Sequence, residues 1–261
     1  MSKNLNYLIV IPARGGSIGI PNKNLMKVHG LPLILRTFAH ARYLSNKQIP
    51  ICVSTDSLPI LKVLCEHLKL KFETLNLKVD TIFELDDIFI HFRSPEKAAS
   101  ETLISENLFD ILNIFTSKNH SVKGIILLQP TSPFRSKEEL RTIQKEIFDI
   151  ANKKTSIVSV TRVEDFHPAR MYEPTKANRL RPLRGFRKSY YLRRQDLPPI
   201  FIRDGGFYVI GEFFIKKSMQ YSRNPTTISR EFPWNINIDK LIDLELAQQL
   251  SRDLVENDAS N

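Results

Sequence analysis

Apolar positions along this chain follow two alternating patterns. Unbroken apolar runs stand at residues 6–13 ("NYLIVIPA"), 51–56 ("ICVSTD"), 124–130 ("GIILLQP") and 156–161 ("SIVSVT"), with a weaker run at 71–75 ("KFETL"). Between them, apolar residues recur every three or four positions, as in Leu31, Ile34, Leu35 and Phe38, or Ile60, Leu61, Leu64 and Leu68. The first pattern predicts strands buried on both faces, the second amphipathic helices. Further helices are expected around Ile104, Leu108, Ile111, Leu112 and Phe115, around Leu140, Ile143 and Ile147, and after Asp239, where Leu241, Leu244, Ala247, Leu250 and Leu254 would be buried. Ser57 with Pro59, Ser100, and the Ser136/Glu139 capping box supply start signals. Strand and helix alternation predicts an α/β fold with a mostly parallel sheet flanked by helices. Residues 76–92 receive no assignment. Residues 163–202, rich in Pro, Arg and Tyr, break the alternation and read as a protruding arm inserted in a single domain, 1–261.

Composition narrows this little. The 261 residues suffice for one large domain. No apolar run is long enough to cross a bilayer, so no membrane is expected, and the N-terminus lacks signal-peptide architecture, which points to the cytoplasm. Cys52 and Cys65 have no CxxC or His pairing and read as buried thiols. The formal net charge of +10 favours anionic partners. Much of it lies in "RLRPLRGFRKSYYLRR", residues 179–194. Phe186, Tyr190 and Tyr191 interleave with those cations, which leaves single-stranded nucleic acid open, but no nucleic-acid motif accompanies them and no nucleic acid partner is expected. His29, His91 and His167 are isolated and read as surface or packing residues.

The polar residues collect where ligands of open α/β sheets bind, beyond the carboxyl ends of strands. One run ends in "ARGGS", the next in "STDS", a third in "QPTSPFR", and a late segment in "NINID". Each alone reads as a turn; together they suggest one rim. Gly15 and Gly16 would let the backbone turn tightly and present N–H groups to an anion, with Arg14 and Lys23 adding charge. The loop matches neither GxxxxGK[ST] nor GxGxxG, so ATPase and dinucleotide readings lose support. Asp56 reads equally as a helix cap or a ligand.

The stretches "IPARGGSIGIPNKN", "VSTDS", "LLQPTSPFRS", "RRQDLP" and "NIDKLIDLELA" resemble, in order and at compatible spacing, the acylneuraminate cytidylyltransferases. The resemblance covers nearly the whole chain. It implies a Rossmann-like nucleotidyltransferase fold and a homodimer whose arm, 163–202, helps complete the neighbouring active site. It implies joining of CTP to an acidic nine-carbon sugar (N-acetylneuraminic, legionaminic or similar), giving the CMP-sugar and pyrophosphate with Mg2+. Carried over position by position, it makes Arg14, Lys23 and Asp239 catalytic. Ala13, Arg14, Ser17, Lys23 and Asn24 would hold the triphosphate and ribose, and Arg93 and Ser105 the cytosine. Gln129, Arg135, Arg194, Gln195, Asp204 and Tyr208 would meet the sugar, although core packing is a comparable reading for Tyr208. Asp239 and Asn237 would hold the metal. Two positions depart from the family: Ile18 replaces a Lys that faces phosphates, and Asn237 replaces a second metal-binding Asp. An active enzyme, one with altered substrate or metal demand, and a degenerate binder without efficient turnover all remain open.

Overall fold

The computed structural model describes residues 4–258 apart from 18, 73–76, 100, 151–154, 164, 177–178, 187–192 and 218. Its centre is an eight-stranded sheet. The strands are β1 (Leu8–Pro12), β2 (Ile51–Thr55), β3 (Thr81–Leu85), β4 (Ile88–Phe92), β5 (Gly124–Leu127), β6 (Ser156–Arg162), β7 (Phe201–Gly211) and β8 (Thr226–Ser229). Their spatial order is β8-β6-β7-β5-β1-β2-β4-β3. The run β5-β1-β2-β4 is parallel throughout, as is the β6–β8 pair. Strand β7 runs antiparallel between β5 and β6, and β3 closes the other edge antiparallel.

The helices are α1 (Leu33–Ser45), α2 (Leu58–Leu68), α3 (Ile104–Ser117), α4 (Lys137–Ile150), the short α5 (Glu212–Ile215) and α6 (Leu241–Asp258). The period-two alternation of the strands divides the core. Ile9, Ile11, Val53, Ile90 and Ile126 face α1, α2 and α4, while Leu8, Val10, Cys52, Phe89 and Ile125 face α3 and α5. Each such fully buried aliphatic side chain contributes roughly 1.5–3 kcal/mol. A third cluster, with Ile20, Val28, Leu33, Phe134, Ile238, Leu244 and Ala247, seats α6 against the loops after β1 and β5.

The start signals act largely as expected. Ser57 Oγ accepts the Ile60 N–H at 3.4 Å, and the Ser136/Glu139 box closes in both directions at 2.6 and 3.1 Å. The third helix starts at Ile104 after Leu103, and Ser100 lies outside the described residues. Most of "KFETL" also lies outside them, and Lys71 and Phe72 are not in a strand. Residues 76–92, left unassigned, hold the β3–β4 hairpin. Its turn passes through Asp86 in the left-handed region (φ 51°), a place where glycine is the usual sequence signal. Leu241, expected inside, is 62 % exposed, because α6 buries only the Leu244–Ala247 side of its surface in the third cluster.

The excursion between β6 and β7 is tied at its base, where the Val163 N–H meets the Ile200 carbonyl at 3.0 Å. It carries a small antiparallel ladder, Tyr172–Pro174 against Leu180–Pro182. Phe201 and Ile202, counted with the arm from sequence, already pair with Arg162 and Thr161 of β6.

Candidate active site

Strand β1 is flanked by β2 on one side and β5 on the other, with crossovers leaving in opposite directions. This is the topological switch point of the sheet, where open α/β folds form a ligand crevice. Two loops border it: Ala13 to Lys23 after β1, and Leu128 to Arg135 after β5.

The first loop is held from three sides. The Gly15 N–H donates to Asp56 Oδ1 at 3.0 Å, and Asn24 Nδ2 donates to the Arg14 carbonyl at 2.9 Å. Asp56 is therefore the anchor of the loop, while Ser57 caps α2. A Cβ on Gly15 would stand 2.9 Å from Ser57 Cβ, and one on Gly19 would stand 2.5 Å from the Asp239 carbonyl oxygen. Close approach, not a left-handed turn, demands these glycines: the positive-φ glycines are Gly30, Gly185 and Gly205. The expected anion cradle is reduced accordingly, because the Gly15 N–H already has a carboxylate. Ile18 lies outside the described residues, Ser17 is half-buried, and Ala13 is fully buried with its N–H on the Ser54 carbonyl at 2.8 Å.

Lys23 brings the late segment to this loop. Its Nζ donates to the Ile238 carbonyl at 2.8 Å and to Asp239 Oδ1 at 3.0 Å. The Lys23 side chain is 12 % exposed and that of Asp239 65 %, so the carboxylate faces the open crevice. Asn237 Nδ2 donates to Asp239 Oδ2 at 2.9 Å. Asp243 Oδ2 accepts the N–H groups of Asp239 and Lys240, which caps α6 and fixes the segment.

Three side-chain oxygens close on Gly205. At a Cβ built on it, Gln129 Oε1 would lie 3.3 Å away, and Asn237 Oδ1 and Ser132 Oγ 3.7 Å each. The last two are buried and have no hydrogen-bond partner among the described residues. The Asp239 carboxylate is exposed, and a turn of the Asn237 amide would bring its oxygen beside it, a donor pair that suits a hard cation such as Mg2+. No group of three His, Cys, Asp or Glu residues placed to hold a metal ion occurs among the described residues, so such an ion would need ligand phosphate oxygens as well.

Beyond Asp56, Arg93 is buried at the end of β4. Loss of hydration pushes its guanidinium below the usual range; Asp56 opposes that shift and Arg14 adds to it. Arg14, Arg93 and Asp56 thus lie near enough at this rim to act on one another's charge. Ser105 is buried in the first turn of α3.

Three expected sugar contacts have other occupations. Arg135 is buried, its Nε on the Gly206 carbonyl, Nη1 on the Ser132 carbonyl and Nη2 on the Gln129 carbonyl, each at 2.8 Å. It shapes the second loop from beneath. Asp204 binds the Gly206 N–H at 2.9 Å, the Ser159 hydroxyl, and Arg230 Nη1 at 3.3 Å. Arg230 is in turn paired with Glu139 at 2.7 Å. Tyr208 is buried in the α3-side core, stacked on Tyr221 at 6.5 Å. Arg135 and Asp204 were expected at the sugar from the family resemblance, and Tyr208 from its place on a strand after Gly206; the partners the structure gives them include Gly206, Arg230 and Tyr221, 71, 26 and 13 positions away. Arg194 and Gln195 line a separate cleft of about 300 Å3 with Arg162, His167 and Pro198, where Arg194 meets Asp165 at 3.0 Å.

A family model described as "Cytidylyltransferase" matches residues 8–81. The CMP-N,N'-diacetyllegionaminic acid synthase of Legionella pneumophila is 27 % identical over 94 % of this chain and 96 % of its own length. The N-acylneuraminate cytidylyltransferase of Oncorhynchus mykiss is 30 % identical over 92 % of this chain; that of Streptococcus agalactiae serotype V is 26 % identical over 88 %. The chain spans about half the length of these two relatives, 49 % and 50 %. Among solved structures, a CMP:2-keto-3-deoxy-manno-octonic acid synthetase complexed with CTP aligns over 97 % of this chain and 99 % of its own, at a TM-score of 0.59 and 14 % identity. A 4-diphosphocytidyl-2C-methyl-D-erythritol synthase from Anaerococcus prevotii aligns over 96 % of both chains, also at 0.59, with 13 % identity. These two establish a shared fold. The motif resemblance to acylneuraminate cytidylyltransferases is thus matched by relatives along most of the chain.

Proposed function

We infer that this chain, a homologue of the acylneuraminate cytidylyltransferases and an enzyme of the nucleotidyltransferase class, joins CTP to a nonulosonic acid and releases pyrophosphate. What carries the reading is the meeting of Lys23 and Asp239 across the glycine loop at the switch point, with Arg14 and Arg93 alongside. The anomeric hydroxyl attacks the α-phosphorus of CTP, the new O–P bond forms as the bond to pyrophosphate breaks, and the hydroxyl proton is released. Charge builds on phosphate oxygens, so catalysis falls to cations and to positioning. Lys23, held by Ile238 and Asp239, presents a fixed ammonium to those oxygens. Arg14 offers a second, forked contact. Asp239 and the Asn237 amide oxygen are the groups that would hold Mg2+, which when bound neutralises the triphosphate. Gln129, half-buried beside Gly205, offers an amide to sugar hydroxyls.

The arm supports a homodimer. Phe166, Met171, Phe201, Ile202 and Phe232 are exposed apolar residues around a cleft of about 860 Å3, a concentration that calls for a cover. A second copy, its basic arm reaching toward the neighbour's crevice, supplies one. No helix among the described residues is long and apolar enough to cross a membrane. The reading places the enzyme in the cytoplasm, where CTP is made.

The test is pyrophosphate release from CTP and Mg2+ with N-acetylneuraminic or legionaminic acid, against UTP, GTP and ATP. Release requiring CTP and one sugar acid supports the reading; no release with any pair overturns it. One observation favours a second reading, a binder with little turnover: both Asp239 oxygens already hold protein donors, Lys23 and the Asn237 amide. In that case Asn237→Asp raises turnover by an order of magnitude or more; under the first reading it changes turnover by only a fewfold.

A further inference from the structure

Asp56, which anchors the first loop, and Arg93 and Ser105, the positions that the family resemblance gives to the cytosine, stand on three different elements: after β2, after β4 and in α3. Directly beneath them lies a buried polar triad. Ser54 Oγ donates to Asn107 Oδ1 at 3.1 Å and lies 3.0 Å from His91 Nδ1. The hydroxyl has one proton, so while it serves Asn107, His91 must donate through Nδ1. Ser54 and His91 are fully buried, and Asn107 is 3 % exposed.

The register explains the placement. Ser54 and His91 are direct partners in the parallel β2–β4 pair and point to the α3 face. Ser54 is two residues before Asp56, His91 two before Arg93, and Asn107 two after Ser105. A hydroxyl in place of an aliphatic side chain has a cost in a core of this kind, and here its bonds join the three elements just below the points where each emits a rim residue. Three atoms of this layer lack partners among the described residues: His91 Nε2, Asn107 Nδ2 and Arg93 Nε. All belong to side chains at least nine-tenths buried. Unpartnered polar atoms at such depth are costly, and all three belong to the triad or to the rim residue that it supports.

Resting on the function inferred above, we propose that Ser54, His91 and Asn107 are positioning residues that set Arg93 and the first turn of α3 for the pyrimidine base of the nucleotide, and thereby its discrimination. They act through Arg93 and Ser105, whereas Lys23 and Asp239 act on the phosphates. Removing the hub should therefore damage base selection while leaving affinity for the triphosphate itself.

The experiment is calorimetric titration of the full chain with CTP, UTP and inorganic triphosphate, run on wild type, Ser54→Ala, His91→Asn, and the core control Ile111→Val. Ser54→Ala should weaken CTP binding about tenfold, the lower end of the range for losing a supporting shell, and erase most of the CTP preference over UTP. Triphosphate binding should stay unchanged. His91→Asn, which keeps a donor near the Nδ1 position, should retain most of the preference. Ile111→Val should lower the melting temperature without altering the preference, as a merely structural role would. If Ser54→Ala does not fold, the isosteric Asn107→Leu is read in the same way. Preserved CTP preference in the folded hub variant overturns this proposal alone. A wild type that shows no preference for CTP overturns it together with the functional reading.

Discussion

Two charged clusters lie on the same flank of the sheet and differ in what their charges meet. Around Lys23 and Asp239, one cation and one carboxylate pair at 3.0 Å, and the carboxylate remains 65 % exposed. Around Arg230, a guanidinium with no exposure is enclosed by Glu139, Asp204 and the Phe134 and Trp234 carbonyls. A Cβ on Gly206 would fall 2.0 Å from Arg230 Nη1, so even the neighbouring backbone is shaped around it. The first cluster keeps bonding capacity for a ligand; the second uses its capacity on the protein. Residues of both clusters resemble binding residues in sequence, and the difference teaches that a charge serves chemistry only where its partners leave it room.

The sharpest way to break the comparison is to remove a partner from each side. Asp204→Ala leaves Arg230 and Ser159 buried without their carboxylate and should cost about 3–5 kcal/mol of stability, read by denaturant unfolding. A loss under about 1 kcal/mol would erase the distinction. Lys23→Ala should lower kcat/KM by about a hundredfold or more while changing stability by about 1 kcal/mol or less, since the Asp239 carboxylate it leaves behind is exposed and stays hydrated. Steady-state kinetics beside a melting curve decides between them.

Glycines refine the picture. Gly19→Ala drives a Cβ against the Asp239 carbonyl, so it should reduce activity about tenfold by displacing the segment that carries Asp239. Smaller still is the pH effect. Burial holds His91 down at about 4, against an ordinary value of 6.5. The unfolded chain then binds more protons between those values, so the His91 contribution is complete above 6.5 and is lost as pH falls toward 4. Unfolding midpoints at pH 7 and 5 should separate, and His91→Asn should narrow the gap. Gly16→Ala, with nothing within 4 Å of the added atom, should be neutral within about 0.5 kcal/mol.

Much of this was legible in advance because it is local. Four buried strands, the Ser57 cap and the Ser136/Glu139 box depend on residues a few positions apart. The β3–β4 hairpin was not legible, since Asp86 takes the left-handed turn without a glycine to announce it. Strand β8 was missed as well: its four residues are mostly exposed and carry no apolar run.

At the site, residue types and order along the chain determined which segments matter: the loop at Arg14 to Asn24, the turn after β5, and the stretch around Asp239. Tertiary structure alone decided the roles within them. Arg135 faces inward because the Gly206 carbonyl, 71 positions later, lies within reach. Gly19 must lack a side chain because Asp239, 220 positions later, presses its carbonyl there. Periodicity and capping are properties of neighbouring residues and can be read along a chain. Hydrogen-bond partners and desolvation depend on which distant groups the fold brings together, and no local pattern encodes them.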